Sequence, residues 1–344
     1  MKVPGWKVIR QLACTVSDGA VRSHLTGDDP EAIERILDTL HMARTARHDE
    51  VCVSPLLAIG IDTLACLQTQ IIGTGLRFDA TATTRPATRQ KVRELIKVLL
   101  DEELVTRGFS RSLMFQRLEE IDFCRYASDG TWFIRPLAEQ EMVVSNQRYR
   151  WVIEAVRCED LPSALSVLDR CEPRRERQVE LTGWPVWVTG QRFFVRYSRG
   201  FSDVELAYSS IYVSGIFDRY YRTLAERRAT AASLACQLYR ADHHRWPERI
   251  EELVPVYLPA VPANPMAARG SVLGYIVFKG KLPDGSDRPM IYFDAGRVDA
   301  YPVTEEPQYG WTSDRLIRDG TYIRQYRDVA RFVPAPSKKI PLEK

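Results

Sequence analysis

Residues 229–254 read ATAASLACQLYRADHHRWPERIEELV. The first half of this stretch closes the longest helical run in the chain, from Asp203 to His243, with no proline and with Gly215 as its one glycine. At 1.5 Å per residue such a helix is about 60 Å long, so it either bridges two subdomains or kinks. Trp246-Pro247 stops it, because proline offers no N–H to the helical ladder and its ring collides with the turn before it. Proline also suits the first turn of a helix, so Pro247 is expected to open a short second helix ending near Tyr257.

Working outward from there, the character of the chain changes on the C-terminal side. Pro255, Pro259, Pro262 and Pro265 mark an extended loop. Leu273–Phe278 and Pro289–Phe293 are β-type runs separated by the turn signature Pro283-Asp284-Gly285-Ser286. Val298–Val303 and Thr321–Tyr326 read as further short strands, and residues 334–344 as a loose tail. On the N-terminal side helical periodicity dominates. One helix ends at Thr26-Gly27, and Asp28-Asp29-Pro30 supplies a cap and a proline for the next, so residues 7–47 form a helical hairpin. Further helices are expected over 54–72, 88–106, 110–127, 136–157 and 162–171. The mixed charge run around Arg170, Arg174, Arg175 and Arg177 ends this region. The aromatic stretch 182–202 reads as a loop or strand pair. The fold expected is mainly α and α+β overall. Helical hairpins or a bundle occupy 1–175 and an aromatic connection 176–202. A long helix and a small antiparallel sheet follow over 203–333, then the tail.

Composition excludes several classes. The chain has 344 residues, is 45% hydrophobic and 27% charged, and carries a net charge of +3, as ordinary globular proteins do and disordered or collagen-like ones do not. Arg outnumbers Lys, 39 to 9, but the balance of signs and the absence of a recognition motif give no expectation of nucleic-acid binding. The seven Cys contain no CxxC pair, which removes the usual zinc and thioredoxin-type arrangements and leaves reduced, buried thiols. The most apolar stretch, Val51–Leu76, is interrupted by Pro55, Asp62, Gln68 and Gln70 and reads as a buried bundle helix. No signal peptide begins the sequence as written, so a cytoplasmic protein is expected, or an envelope-associated one if the true start lies upstream and adds a membrane anchor.

Tyr239, Asp242, Trp246 and Pro247, followed by Leu253-Val254 and Tyr257-Leu258-Pro259-Ala260-Val261-Pro262, carry a resemblance. The segment resembles the globular part of type II secretion major pseudopilins. The wider arrangement is similar to a group of uncharacterised, planctomycete-type bacterial proteins in which an α-helical region precedes such a tail. The resemblance implies a long helix ending in a turn, a short helix, a proline-rich loop and a small antiparallel sheet. Tyr239 and Trp246 would pack on either side of the turn. His244 stands where those proteins have glycine, a residue type for which the left-handed conformation is less favourable.

Few constellations suggest chemistry. Asp242, His243 and His244 form the sharpest cluster and are the metal-ligand candidates, although adjacent His point to different faces of a helix end and the sequence offers no third partner at metal spacing. His41, His48 and Asp49 lie at i, i+7 and i+8, not the i, i+4 of zinc helices. Nucleophile elbows and phosphate-binding glycine loops are absent from the sequence. The expectation is a non-enzymatic, cofactor-free interaction or scaffold protein with other proteins as partners, in an envelope or secretion-related setting. Trp184, Trp187, Tyr239 and Trp246 are its candidate contact residues. The competing expectation is a metal-dependent hydrolase built on residues 242–244.

Overall fold

The computed structural model describes residues 5–48, 54–73, 75–79, 84–130, 135–170, 192–278, 288–293 and 330–332. Among these the chain is mainly helical with one small antiparallel sheet. It divides into two compact units, neither continuous in sequence: residues 1–46, 57–102 and 222–344 form the first, residues 47–56 and 103–221 the second.

The first unit begins with helices α1 (Gly5–Leu25) and α2 (Asp29–His48), joined by a tight turn. Gly27 takes φ 94° there, a conformation glycine adopts without a Cβ clash. Asp28 caps α2 by accepting from the Glu31 N–H, as the sequence led one to expect. Helix α3 (Ser54–Gly73) packs on this hairpin through small side chains. Ala13, Ala43, Ala46, Ala58 and Ile61 are buried together, and alanines let the backbones approach closely. Helix α4 (Arg89–Leu100) is capped by Thr88, whose side chain accepts from the Lys91 N–H, and it buries Val92, Leu95, Ile96 and Leu99. The spacing of these four puts them on one face.

In the second unit, α5 (Glu103–Gly130) and α6 (Arg135–Val156) pack along one another, and α7 (Leu161–Asp169) follows, capped by the Asp160 side chain on the Ser163 N–H. The expected helices 88–106 and 110–127 are divided elsewhere: the break falls at Asp101-Glu102, and α5 runs through Gly108. Gly108 is no helix breaker. A Cβ there would lie 2.8 Å from the Cβ of Arg47, so glycine serves close approach.

Helix α8 (Arg192–His243) contributes its residues up to Tyr221 to the second unit and the remainder to the first. It starts well before Asp203, so Phe193, Phe194 and Tyr197 are helical rather than in a loop or strand pair; no proline interrupts 192–202. In the second unit Phe109 stacks on Tyr220 at 4.5 Å and meets Phe217 edge-on, and the Tyr221 hydroxyl donates to the Ala155 and Cys158 carbonyls. After α8 the short helix is a single 3-10 turn, Ile250–Leu253, rather than a helix reaching Tyr257; the following Pro255 cannot extend it. Strands β1 (Gly274–Phe278), β2 (Arg288–Tyr292) and β3 (Ala330–Phe332) form an antiparallel sheet in the order β1-β2-β3, with Ile276 opposite Met290 and Met290 opposite Phe332. The expected β-type runs at 273–278 and 289–293 correspond to β1 and β2, while β3 carries no clear signal in its three residues. The turn at 283–286, the strands expected at 298–303 and 321–326, and the tail from 334 lie outside the described residues. Cys66 and Cys236 are buried free thiols, as expected, whereas Cys158 is half-buried and Cys14 is exposed on α1.

Candidate functional site

The Asp242–His244 cluster sits where α8 ends, and both carboxylate oxygens of Asp242 are engaged in hydrogen bonds. Asp242 Oδ1 accepts from Arg89 Nε at 2.7 Å and Oδ2 from the Tyr257 hydroxyl at 2.9 Å. Burial opposes its ionisation, but these two donors outweigh it and hold the carboxyl below its usual range. Burial, followed by the bond to Asp242, pushes Tyr257 up to about 12, so the phenol is a donor and not a base near neutrality. The His243 ring lies 4.3 Å from the ring of Tyr239. His244 is exposed at φ 55°, and its N–H bonds the Arg240 carbonyl at 2.8 Å. That bond is the αL form of helix termination, in which the first residue past the helix folds back on the last turn. The His243 ring is thus in an aromatic contact, and His244 is held at the helix end through its backbone. Among the described residues, no three His, Cys, Asp or Glu side chains come together as metal ligands.

The neighbouring turn is tied as closely. Tyr239 is 4% exposed, and its hydroxyl donates to Glu252. Glu252 also accepts from Arg245 and from the Glu248 and Arg249 N–H groups. Led by the Tyr239 bond, these donors lower Glu252 to about 2. Trp246 is half-buried, with the Arg240 guanidinium 4.6 Å from its ring centre. Tyr239 is therefore part of the turn's interior rather than a surface contact. Trp184 and Trp187 lie outside the described residues. His41 is exposed, and Asp49 also lies outside the described residues.

Two buried ion pairs complete the internal electrostatics of the first unit. Asp29 is fully buried and accepts from Arg77 Nη2 at 2.6 Å, from Arg77 Nε at 2.9 Å and from the Arg77 N–H at 2.9 Å, with His24 Nδ1 2.7 Å away. Burial alone would raise its pKa, yet the Arg77 and His24 bonds together lower it. Arg227 on α8 meets Asp62 of α3 at 3.0 Å and donates to the Val98, Leu99 and Asp101 carbonyls at the end of α4. Its side chain is 2% exposed, and burial lowers its pKa. A guanidinium has five donors in a plane, so it satisfies a carboxylate and a helix C-terminus at once.

A different kind of surface lies on the second unit. Between α5 and α6 a groove of about 620 Å³ is lined by Met114 and Arg117 from α5, and by Asn146, Gln147, Arg150, Ile153, Glu154 and Arg157 from α6. Three arginines face one glutamate. Arg117 Nε is buried without a hydrogen-bond partner, and none of the three guanidiniums pairs with a carboxylate among the described residues. On α5, Met114 and Leu118 one turn further on are 44% and 57% exposed, and Val143 on α6 is 55% exposed. Reading the sequence one segment at a time did not find this groove. Arg150, Glu154 and Arg157 fall in the helix expected over 136–157, which by itself names no partner, and Arg117 sits a whole helix away. The available signal was Val143, Gln147, Arg150, Glu154 and Arg157 at i, i+4, i+7, i+11 and i+14, a single face that mixes a large apolar residue with arginine. Comparison of the chain with known protein families, with characterised proteins and with solved structures finds no match.

Proposed function

We propose that this chain is a non-enzymatic interaction protein that holds another protein on its second unit. One observation carries the reading: in the first unit Arg77–Asp29, Arg227–Asp62 and Arg89–Asp242 are engaged in ion pairs that close the fold, whereas the α5–α6 groove presents arginines that pair with no carboxylate among the described residues, beside exposed apolar side chains. Exposed large apolar side chains beside unpaired charge are what binding surfaces offer. An envelope or secretion-related assembly is the setting this reading favours. Its support is the pseudopilin-like succession at the C-terminal end of α8: a left-handed turn, a single short helical turn, prolines and an antiparallel sheet.

The test is site-specific photo-crosslinking in cells. A photoreactive amino acid at Leu118 or Val143 is expected to yield a small set of protein adducts, while the same group at exposed Thr15 on α1 yields none of them. Equal adduct patterns from all three positions would overturn the reading, as would turnover of any substrate that is lost on a single polar substitution.

A further inference from the structure

We infer that the α5–α6 groove receives an acidic amphipathic helix from the partner protein; this rests on the interaction reading above and specifies its chemistry. The groove has the length for it. Along α6 its lining runs from Asn146 to Arg157, 11 residue steps or about 17 Å at 1.5 Å each, equal to roughly three turns of a bound helix. Its charge is one-sided, with Arg117, Arg150 and Arg157 against Glu154. Guanidinium forks accept carboxylates in bidentate pairs, which suits Asp and Glu side chains at one-turn spacing. The buried Nε of Arg117 is a donor without an acceptor. Arg150 and Arg157 are exposed, so theirs are the guanidiniums that an incoming carboxylate reaches from solvent. Met114 and Leu118 on α5, with Val143 on α6, supply the apolar half, where Leu-type anchors at i, i+3 and i+4 would seat.

The same features disfavour a nucleic acid. Duplex DNA carries a charge about every 1.7 Å of its axis, whereas three guanidiniums are spread over the groove and a carboxylate sits among them. Among the described residues the lining also contains no aromatic ring on which a base could stack.

The experiment is a display selection on the full chain with a library of random-sequence helical peptides of about 18 residues. In parallel, a fluorescent single-stranded oligonucleotide of 18 nucleotides is titrated by anisotropy. The expected result is recovered peptides with Asp or Glu on one flank and apolar residues at i, i+3, i+4 and i+7. Their Kd should rise at least tenfold with Arg150→Glu/Arg157→Glu and recover when peptide carboxylates are exchanged for lysine. Arg150→Gln/Arg157→Gln, a milder pair, is expected to move Kd in the same direction, and circular dichroism of each variant checks the fold. Peptides without acidic bias, or indifferent to both variant pairs, would overturn the acidic-helix inference and leave the interaction reading standing. Tight, arginine-dependent oligonucleotide binding with no peptide recovered would overturn both. Recovery of nothing by either route would overturn the inference.

Discussion

His244 occupies φ 55° at the end of α8, a conformation in which a side chain with a Cβ is crowded by its own carbonyl. The sequence marks this place as unfavourable for histidine, and the chain adopts the turn regardless, because the 2.8 Å bond to the Arg240 carbonyl and the Asp242, Tyr239 and Glu252 contacts hold both sides of it. His244→Gly is therefore expected to raise stability by about 0.5–1 kcal/mol, and His244→Val to lower it, since a branched Cβ tolerates positive φ least; urea midpoints of the two variants decide the matter. Glu252 gives a pH signature. Its pKa is lowered to about 2 in the fold against an ordinary value near 4.3. The unfolded chain therefore takes up a proton first as pH falls. The contribution of Glu252 is complete above roughly pH 4.5 and disappears as pH drops towards 2. Thermal midpoints of the protein and of Glu252→Gln should differ at pH 6 and converge between pH 4.5 and 2. A difference that persists at pH 2 would exclude the titration as its source.

Elements show which parts of the fold could be read from residues alone. Local signals served well: Thr26-Gly27 and Asp28 delimit α1 and α2, Pro162 stands at the start of α7, and the β-type run at 273–278 gives β1. What failed was any feature whose meaning lies in a distant neighbour. Gly108 in a run of polar and apolar residues looks like an interruption, and only the Arg47 side chain against it shows that α5 needs a missing Cβ there. The candidate groove was hidden for the same reason, because Arg117 and Arg150 belong to different helices and nothing in either segment names the other. Gly108→Ala separates the two accounts of that glycine. If it merely weakened the helix, alanine would stabilise by about 1 kcal/mol. The contact at 2.8 Å instead predicts a loss of about 1–3 kcal/mol from overpacking, measurable by denaturant unfolding.

In the molecule as a whole the greatest leverage lies with Arg227 and Asp62, 165 residues apart and both buried. Through this pair α3, α4 and α8 share one guanidinium. Arg227→Met takes the guanidinium away from buried Asp62 and from the Val98, Leu99 and Asp101 carbonyls, and is expected to cost about 3–5 kcal/mol. Adding Asp62→Leu should restore a large part of that loss, because a buried pair replaced entirely by apolar groups is close to neutral; calorimetry on the single and double variants reads both effects. The separation along the chain has a consequence in time. Residues 55–73 are long and apolar enough to cross a bilayer, half of them buried in the fold, and they leave the ribosome 165 residues ahead of Arg227. At translation rates of about 5–20 residues per second, that is an interval of roughly 8–33 s. Throughout it Asp62 lacks its guanidinium partner, and the carboxylate is then the one charge that makes this greasy helix unwelcome in lipid, by about 2.5–3.5 kcal/mol at mid-bilayer. A single aspartate thus makes this segment costlier to place in lipid while the chain is still being made, before it anchors α8 in the fold.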